Sequence, residues 1–242
     1  MTNKPNIVLV HGAWADGTSW SKIIPILHNA GYNVVATQHP LTSLTEDVEV
    51  TRRLAEAQEG PTILAGHSYG GAVITEAAHL CPNVIGLVYI AAFAPEVGEN
   101  LGSIGENAAP PEGGAAIRPD KYGTLWLDKE LFHGNFCQDV TDEEAIVMGA
   151  AQKPIAARCF GDNISDAGWK ILPTWYQLSE NDRMINPALQ VFMTDRMKPQ
   201  RVLTLQSSHV AMVSHPNEVA DFILEACEQV NNLQTDTTKE FA

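Results

Sequence analysis

Cysteines, basic residues and long apolar runs are all scarce in this chain. Four cysteines among 242 residues show no CxxC spacing, which excludes a zinc site of that pattern and a dense disulfide framework. Lysine and arginine total 15 against 29 aspartates and glutamates, and the formal net charge of -14 opposes binding to nucleic acid or anionic lipid. No apolar run approaches the roughly 20 residues that span a bilayer. The sequence therefore predicts no nucleic-acid partner and no stable membrane insertion.

Signals for export and for metal or cofactor binding are also missing. The first apolar run, 6–11, is too short for a signal-peptide core and has no small-residue cleavage site. Together with the scattered cysteines, this predicts a cytoplasmic protein. Neither HExxH spacing nor a GxGxxG fingerprint occurs, so we expect no metal and no cofactor. A small neutral substrate fits the composition, whereas the oligomeric state stays open, with a homodimer as one alternative.

Apolar runs and helical stretches alternate along a chain of suitable size for one domain, 1–242. This alternation predicts an α/β fold with a mostly parallel central sheet of about six strands and helices on both faces. The predicted strands are 6–10, 32–37, 61–65, 84–90, 173–178 and 202–205. The predicted helices lie around 20–30, 44–59 and 72–78, begin at Asn186-Pro187, and follow Pro216. Ser43 and Glu46 match a capping box at the start of the second helix.

Between about 95 and 170 the periodicity weakens, and we interpret this segment as an inserted cap or lid. Within it, 110–114 is typical of a mobile loop and 142–151 of a helix. The cap holds several aromatic side chains that either wall an apolar pocket or serve ordinary packing: Trp126, Phe132, Phe136, Phe160 and Trp169. Trp126 is the candidate substrate-binding residue among them. From about residue 231 the apolar stripe is lost, so 231–242 is expected to be a frayed tail.

The stretch Gly66-His-Ser-Tyr-Gly70 places a serine between glycines two residues away on each side. An apolar run of strand length precedes it, and a helical stretch rich in small residues follows it. Strand, sharp turn and helix in this order are typical of a nucleophile elbow, where β-carbons at the flanking positions would crowd the turn. Because the turn exposes the hydroxyl, Ser68 is the candidate nucleophile.

A serine nucleophile needs an imidazole to take its proton and a carboxylate to hold that imidazole. In folds with this elbow the chain order is serine, acid, histidine, and each follows a strand. His209 follows the predicted strand 202–205. By contrast, His28, His79 and His133 lie on predicted helices or in the cap, and His39 and His215 precede prolines. Asp182 and Glu180 both follow the strand 173–178. Asp182 is preferred because aspartate is usual there, and Glu180 is the alternative.

The developing oxyanion needs donors, which are usually two backbone N–H groups. Tyr69, directly after Ser68, supplies one candidate. The loop after the first strand reads His-Gly-Ala-Trp and supplies the N–H of Ala13 as the other. Trp14 is a second candidate substrate-binding residue, although it could equally staple this loop.

Four blocks of the sequence resemble the α/β-hydrolase superfamily, and within it the small cofactor-free esterases related to plant methylesterases and hydroxynitrile lyases. The blocks are Val8-Leu-Val-His-Gly-Ala-Trp14, Gly66-His-Ser-Tyr-Gly-Gly71, Glu180-Asn-Asp-Arg183 and Ser208-His-Val-Ala-Met-Val-Ser-His-Pro216. The resemblance implies an α/β-hydrolase fold in which Ser68 is the nucleophile, His209 the general base and Asp182 its orienting acid. It also implies Ala13 and Tyr69 as the oxyanion donors.

Differences from these relatives exclude or disfavour several reactions of the superfamily. Hydroxynitrile lyases of the group carry a threonine after the first strand and a lysine beside the catalytic histidine, where this chain has Gly12-Ala13 and Val210, so cyanohydrin cleavage is disfavoured. Dehalogenases and epoxide hydrolases of this fold have an aspartate at the elbow, and Ser68 argues against both. We therefore predict a serine hydrolase that cleaves small neutral carboxylic esters through an acyl-enzyme. The alternatives are lactone or thioester hydrolysis or acyl transfer on the same triad, and a non-catalytic small-molecule-binding protein.

Overall fold

The main sheet consists of six parallel strands. The computed structural model describes residues 4–240, with side chains for 4–230. Within this part the strands are β1 Asn6–Val10, β2 Val34–Ala36, β3 Thr62–His67, β4 Val84–Ile90, β5 Ile117–Pro119, β6 Thr124–Leu127, β7 Ile155–Ala156, β8 Thr174–Ser179 and β9 Arg201–Leu205. The main sheet has the order β2-β1-β3-β4-β8-β9, and all neighbouring pairs are parallel. The predicted α/β-hydrolase fold with about six parallel strands is confirmed.

Burial separates the central strands of this sheet from its edges. Every residue of β1 and β3 is buried, as is typical of parallel strands that are covered on both faces. The edge strands β2 and β9 are only partly buried. The predicted strand 32–37 shortens to Val34–Ala36, the three residues that pair with β1.

Helices connect the strands of the main sheet and also occupy the cap. In the described residues they are α1 Ile23–Asn29, α2 Leu44–Glu56, α3 Tyr69–Leu80, α4 Leu101–Gly105, α5 Lys129–Phe136, α6 Asp142–Ala151, α7 Pro187–Met197, α8 Ala211–Ser214 and α9 Pro216–Glu240. α7 begins with an Asn186 cap and Pro187 at its first position, as the sequence predicts. The predicted capping box of α2 is only half present. Ser43 accepts from the Glu46 N–H, but the Glu46 carboxylate accepts from the Thr42 hydroxyl instead.

The segment 95–170 separates β4 from β8 and has a small sheet of its own. β5, β6 and β7 form a three-stranded antiparallel sheet with β6 in the middle. The segment also contains α4, α5 and α6, of which α6 matches the predicted helix 142–151. The sequence pattern does not predict the antiparallel sheet, because strands of two to four residues are too short to show an alternation.

The proline- and glycine-rich stretch 110–114 is not a free loop, which corrects the sequence interpretation. Its second half belongs to a 3₁₀ helix, Glu112–Ala116. The Gly113 N–H donates to the carbonyl oxygen of Arg183 at 2.6 Å, and Gly113 is buried. The stretch therefore packs on the loop that follows β8.

Helix α9 ends the described part of the chain. It contacts α1 and β4 and is described to Glu240, whereas side chains beyond residue 230 are not. The helix includes the backbone of 231–240, and 241–242 lie outside the described residues, so the predicted fraying of 231–242 stays a prediction. Among the helices described, none is both long and apolar enough to cross a membrane.

Candidate active site

The residues after β3 form a sharp turn centred on Ser68. Its φ of 54° and ψ of -123° are uncommon for a residue with a β-carbon. β3 ends directly before this residue and α3 begins directly after it. A β-carbon at Gly66 would lie 2.6 Å from the Gly70 oxygen, and one at Gly70 would lie 2.5 Å from the Val10 oxygen. The turn therefore depends on both glycines and has the geometry of a nucleophile elbow.

Ser68, His209 and Asp182 form a continuous hydrogen-bonded chain. The Ser68 hydroxyl donates to His209 Nε2 at 2.8 Å, and the His209 Nδ1–H donates to Asp182 Oδ2, also at 2.8 Å. All three residues are buried, and Ser68 is the most accessible at 5%. Glu180, the alternative acid, is exposed and accepts from Gln206 instead. The structure thus brings together the three predicted residues and leaves Glu180 outside the chain.

The Asp182 carboxylate accepts from four donors. Its Oδ1 accepts from the backbone N–H groups of Met184 and Ile185 at 2.7 and 3.0 Å. Its Oδ2 accepts from His209 and from the side-chain amide of Gln190, the latter at 2.9 Å. Gln190 is fully buried on α7 and also bonds two backbone groups. Sequence reasoning missed Gln190, and the only signal that could have found it is the α7 start that places it near the acid.

A second buried histidine and a cap phenylalanine hold His209 in place. The His67 Nε2–H donates to the His209 carbonyl oxygen at 2.8 Å, and the two rings are 4.7 Å apart. Burial, together with His209, keeps the pKa of His67 well below its usual range, so its ring is neutral. Phe136 from α5 packs edge-on against the His209 ring at 5.3 Å between centroids. Sequence reasoning missed His67 as a site residue, although it lies inside the elbow motif.

The two predicted oxyanion donors border the cavity that contains Ser68. Both Ala13 and Tyr69 line it. Tyr69 is the first residue of α3, so its N–H has no acceptor within the helix. The Tyr69 phenol donates to Asp47 Oδ2 at 2.7 Å. Asp47 is fully buried, and this burial raises its pKa to about 6 even though the bond from Tyr69 acts to lower it.

The two tryptophans chosen as substrate-binding candidates occupy different places. Trp14 lines the Ser68 cavity, and its indole N–H donates to the Leu125 carbonyl at 3.0 Å, so it both borders the cavity and fastens its loop to the cap. Trp126 is 38% exposed, its indole N–H donates to Asp120, and it lines neither cavity beside the triad. The structure does not bring Trp126 to the site, which corrects that prediction. Successive side chains of β6 point to opposite faces, and its neighbour Leu127 is the buried one.

The turn after α5 ties the cap to both loops of the triad. The side-chain amide of Gln138 donates to the Asn181 carbonyl at 2.6 Å, and Asp139 Oδ2 accepts from the Ser208 N–H at 2.7 Å. Asn181 and Ser208 each come directly before a member of the hydrogen-bonded chain. The cap therefore helps to fix both loops, and neither cap residue was selected from the sequence.

In the described part of the chain, one cavity of about 620 Å³ borders Asp182 and Ser208, and two others lie beside Ser68 and His67. The smaller of these two, about 190 Å³, contains Ser68, and the larger, about 480 Å³, lies beside His67. Trp14 lines both of them. Among the cap aromatics, Phe160 lines the smaller cavity and Phe136 the larger.

The other buried histidines near the site contact one another. The rings of His11 and His39 stack at 3.6 Å between centroids. Burial lowers the pKa of His11 to about 4 and holds that of His39 well below its usual range, so both rings are neutral. Within the described part of the chain, no group of three or more His, Cys, Asp or Glu side chains is arranged to hold a metal ion.

The parallel sheet, the elbow and the hydrogen-bonded chain together define the α/β-hydrolase class. Residues 7–222 match the model of the alpha/beta hydrolase family, so the chain belongs to this family. It is a hydrolase, and the predicted enzyme class is confirmed.

Two curated relatives and one solved structure are similar to the chain. It is 37% identical to the carbendazim hydrolyzing esterase of Nocardioides sp. (strain SG-4G) over 167 residues. This aligned region covers 64% of this chain and 67% of that protein. It is 22% identical over 255 residues to methylesterase 8 of Arabidopsis thaliana, with coverage of 93% and 90%. The structure of polyneuridine aldehyde esterase has the same fold, with a TM-score of 0.80 at 16% identity and coverage of 92% and 99%. The predicted relation to plant methylesterases is confirmed.

Proposed function

We propose that this chain hydrolyses small carboxylic esters by a serine mechanism with an acyl-enzyme intermediate. The observation that carries the proposal is the pair of 2.8 Å hydrogen bonds from Ser68 through His209 to Asp182. A hydroxyl placed in this way passes its proton to the imidazole as it attacks a carbonyl carbon. Asp182 keeps the imidazole in the tautomer that accepts this proton and stabilises the imidazolium that forms.

In the first half of the reaction, Ser68 Oγ bonds to the ester carbonyl carbon and its proton moves to His209 Nε2. The backbone N–H groups of Ala13 and Tyr69 stabilise the tetrahedral oxyanion. Collapse breaks the bond to the alcohol oxygen, which takes the proton from His209 and leaves. In the second half, water gives a proton to His209 and attacks the acyl-enzyme, and the acid is released as Ser68 regains its proton.

The proposed substrate is small and neutral. The Ser68 cavity of about 190 Å³ is lined by apolar side chains such as Leu101, Ile117 and Leu189. Such walls favour apolar groups over charged ones. The formal net charge of -14 further disfavours anionic substrates.

The proposed compartment is the cytoplasm. All four cysteines, which lie in the described part of the chain, are unpaired and buried. Reduced cysteines are typical of the cytoplasm, where thiols are kept reduced. We propose no nucleic-acid or membrane partner, in keeping with the acidic composition.

Hydrolysis of p-nitrophenyl esters from acetate to decanoate tests the proposed function, with wild type compared with Ser68→Ala. Removing the nucleophile is expected to lower kcat/KM on the order of 10³-fold or more. Ser165→Ala removes an exposed serine hydroxyl that bonds Glu76 and is the control expected to retain activity. Equal rates for wild type and Ser68→Ala would overturn the proposal.

Covalent labelling tests the acyl-enzyme separately from turnover. A fluorophosphonate probe followed by intact-mass measurement should add one label to wild type and to Ser165→Ala. Ser68→Ala should stay unlabelled, because the probe reacts with the activated serine. Label on Ser68→Ala would place the reactive nucleophile elsewhere.

A further inference from the structure

The cavity that contains Ser68 has room for a short group only. Its volume is about 190 Å³, and it is bordered by Tyr69 and Phe160, whose ring centroids are 6.4 Å apart. Gly105 and Gly114 also border it, and a β-carbon on either glycine would meet no atom within 4 Å. The space at these glycines can therefore be reduced by substitution without a backbone clash.

The larger cavity lies on the His209 side of the reacting centre. Its volume is about 480 Å³, and His67, Phe136 and Val210 border it. Each of these three adjoins His209: His67 bonds its carbonyl, Phe136 packs on its ring, and Val210 is the next residue in the chain. The lining of this cavity does not include Ser68.

The larger cavity also reaches the protein surface. Lys22 borders it, pairs with Glu144 of α6 at 2.5 Å, and donates to the Val213 carbonyl at 2.8 Å. The Lys22 and Glu144 side chains are 40% and 33% exposed, so this edge of the cavity adjoins solvent. A bulky group can therefore be accommodated along this edge.

Ester cleavage assigns the two halves of a substrate to the two sides of the triad. The leaving alcohol oxygen takes its proton from His209 Nε2, so the alcohol group starts on the His209 side. The acyl group stays bonded to Ser68, which borders the smaller cavity.

We infer that the larger cavity binds the alcohol part of the substrate and the smaller cavity binds the acyl part. The preferred substrates are therefore neutral esters of a short acid with a bulky apolar alcohol. This inference rests on the proposed ester hydrolysis and adds to it the class of ester.

Isomeric esters with the linkage reversed test the inference on the wild-type protein. 2-Naphthylmethyl acetate carries its ring on the alcohol, whereas methyl 2-naphthylacetate has the same atoms and carries the ring on the acid. Both release a primary alcohol of similar acidity, so the comparison isolates the fit. The value of kcat/KM is expected to be about tenfold higher or more for 2-naphthylmethyl acetate. Equal values or the reverse preference would overturn the inference.

Substitutions on each cavity wall sharpen the same measurement. Met148→Trp fills the larger cavity from α6 and is expected to lower the preference for 2-naphthylmethyl acetate about tenfold. Gly105→Leu fills the smaller cavity and is expected to raise that preference. Val191→Phe adds bulk at a position on α7 that is 45% exposed, and it should keep the wild-type preference. The opposite pattern would place the acyl group in the larger cavity and overturn the inference.

Hydrolysis of p-nitrophenyl acetate by the same preparations separates failure of the cavity assignment from failure of the proposed function. If wild type cleaves it and Ser68→Ala does not, the proposed function stands. Equal, reversed or absent cleavage of the two isomers then overturns the cavity assignment alone. If no ester is cleaved, the proposed function fails and the cavity assignment fails with it.

Discussion

Two buried glutamines, one beside the main sheet and one in the cap, each make three hydrogen bonds. Gln190 on α7 bonds Asp182 Oδ2 and two backbone groups. Gln152, directly after α6, bonds the N–H and the carbonyl of Leu127 and the carbonyl of Gly149. Gln190 is thus joined to a group that the proposed reaction uses, whereas Gln152 joins one part of the cap to another.

The main sheet and the cap as a whole differ in the same way. The loops after β3, β8 and β9 carry Ser68, Asp182 and His209, so the sheet positions the three groups that the proposed reaction uses. The cap contributes walls to both cavities, such as Phe160 and Met148. Changes beside the sheet should therefore have the larger effect on the chemical step, whereas changes in the cap should act mainly on fit or stability.

Gln190→Leu compared with Gln152→Leu tests this difference most strongly. Gln190→Leu removes a buried donor from the Asp182 carboxylate and is expected to lower kcat about 10²-fold with little change in KM. Gln152→Leu loses as many bonds and is expected to lower stability while kcat stays within about twofold of wild type. Steady-state kinetics and urea unfolding on both variants give the two readouts. Similar losses of kcat in the two variants would contradict the division between sheet and cap.

Buried ionisable groups also gather beside the sheet and make its stability depend on pH. The pKa of His11 falls to about 4 from 6.5, and those of His39 and His67 lie well below 6.5. Their contribution to stability is present above pH 6.5 and is lost as pH falls through the folded-state values. Asp47, whose pKa rises from 3.8 to about 6, contributes stability below pH 3.8 that is lost as pH rises through about 6. The three histidines lose stability on acidification and only Asp47 gains it, so we expect a net loss of protein stability as the pH falls.

Asp47→Asn should steepen this acid loss, because it removes the one opposing group. Between about pH 7 and pH 4 the free energy of unfolding should fall about 2 kcal/mol further in the variant than in wild type. Asparagine can still accept from the Leu41 N–H and donate to the Tyr69 oxygen, so both contacts of Asp47 are kept. Urea unfolding at several pH values measures the two curves. Parallel curves would show that Asp47 does not titrate in this range.

The cap should affect the triad loops more weakly, through Asp139. This residue is exposed, and its carboxylate accepts from the Ser208 N–H next to His209. Asp139→Ala is expected to lower kcat about threefold to tenfold, because the loop that carries His209 loses one anchor. Asp139→Asn keeps an acceptor and should restore most of the rate. An Asn variant as slow as the Ala variant would mean that the bond to Ser208 is not what matters.

The same two regions differ in how far the sequence predicts them. The elbow and the triad follow from local signals, since Gly66 and Gly70 must flank the turn and each triad residue follows an apolar strand. The cap sheet does not, because its strands are two to four residues long. Gln190 and Asp139 contact the triad loops from parts of the chain with no motif, so only the folded structure identifies them.

Trp126→Ala should have the smallest effect on catalysis among these substitutions, and Trp14→Ala should have a larger effect. Aromatic residues in the cap suggest a pocket wall, but on β6 the alternation of side chains turns Trp126 away from both cavities, where it is 38% exposed. Its removal should change kcat/KM by less than about twofold. Trp14 is 5% exposed, lines both cavities and bonds the Leu125 carbonyl, so its loss should alter KM and the preference between the naphthyl isomers. If Trp126→Ala changed that preference as much as Trp14→Ala, the cap would contribute to substrate binding through a face that the cavities do not include.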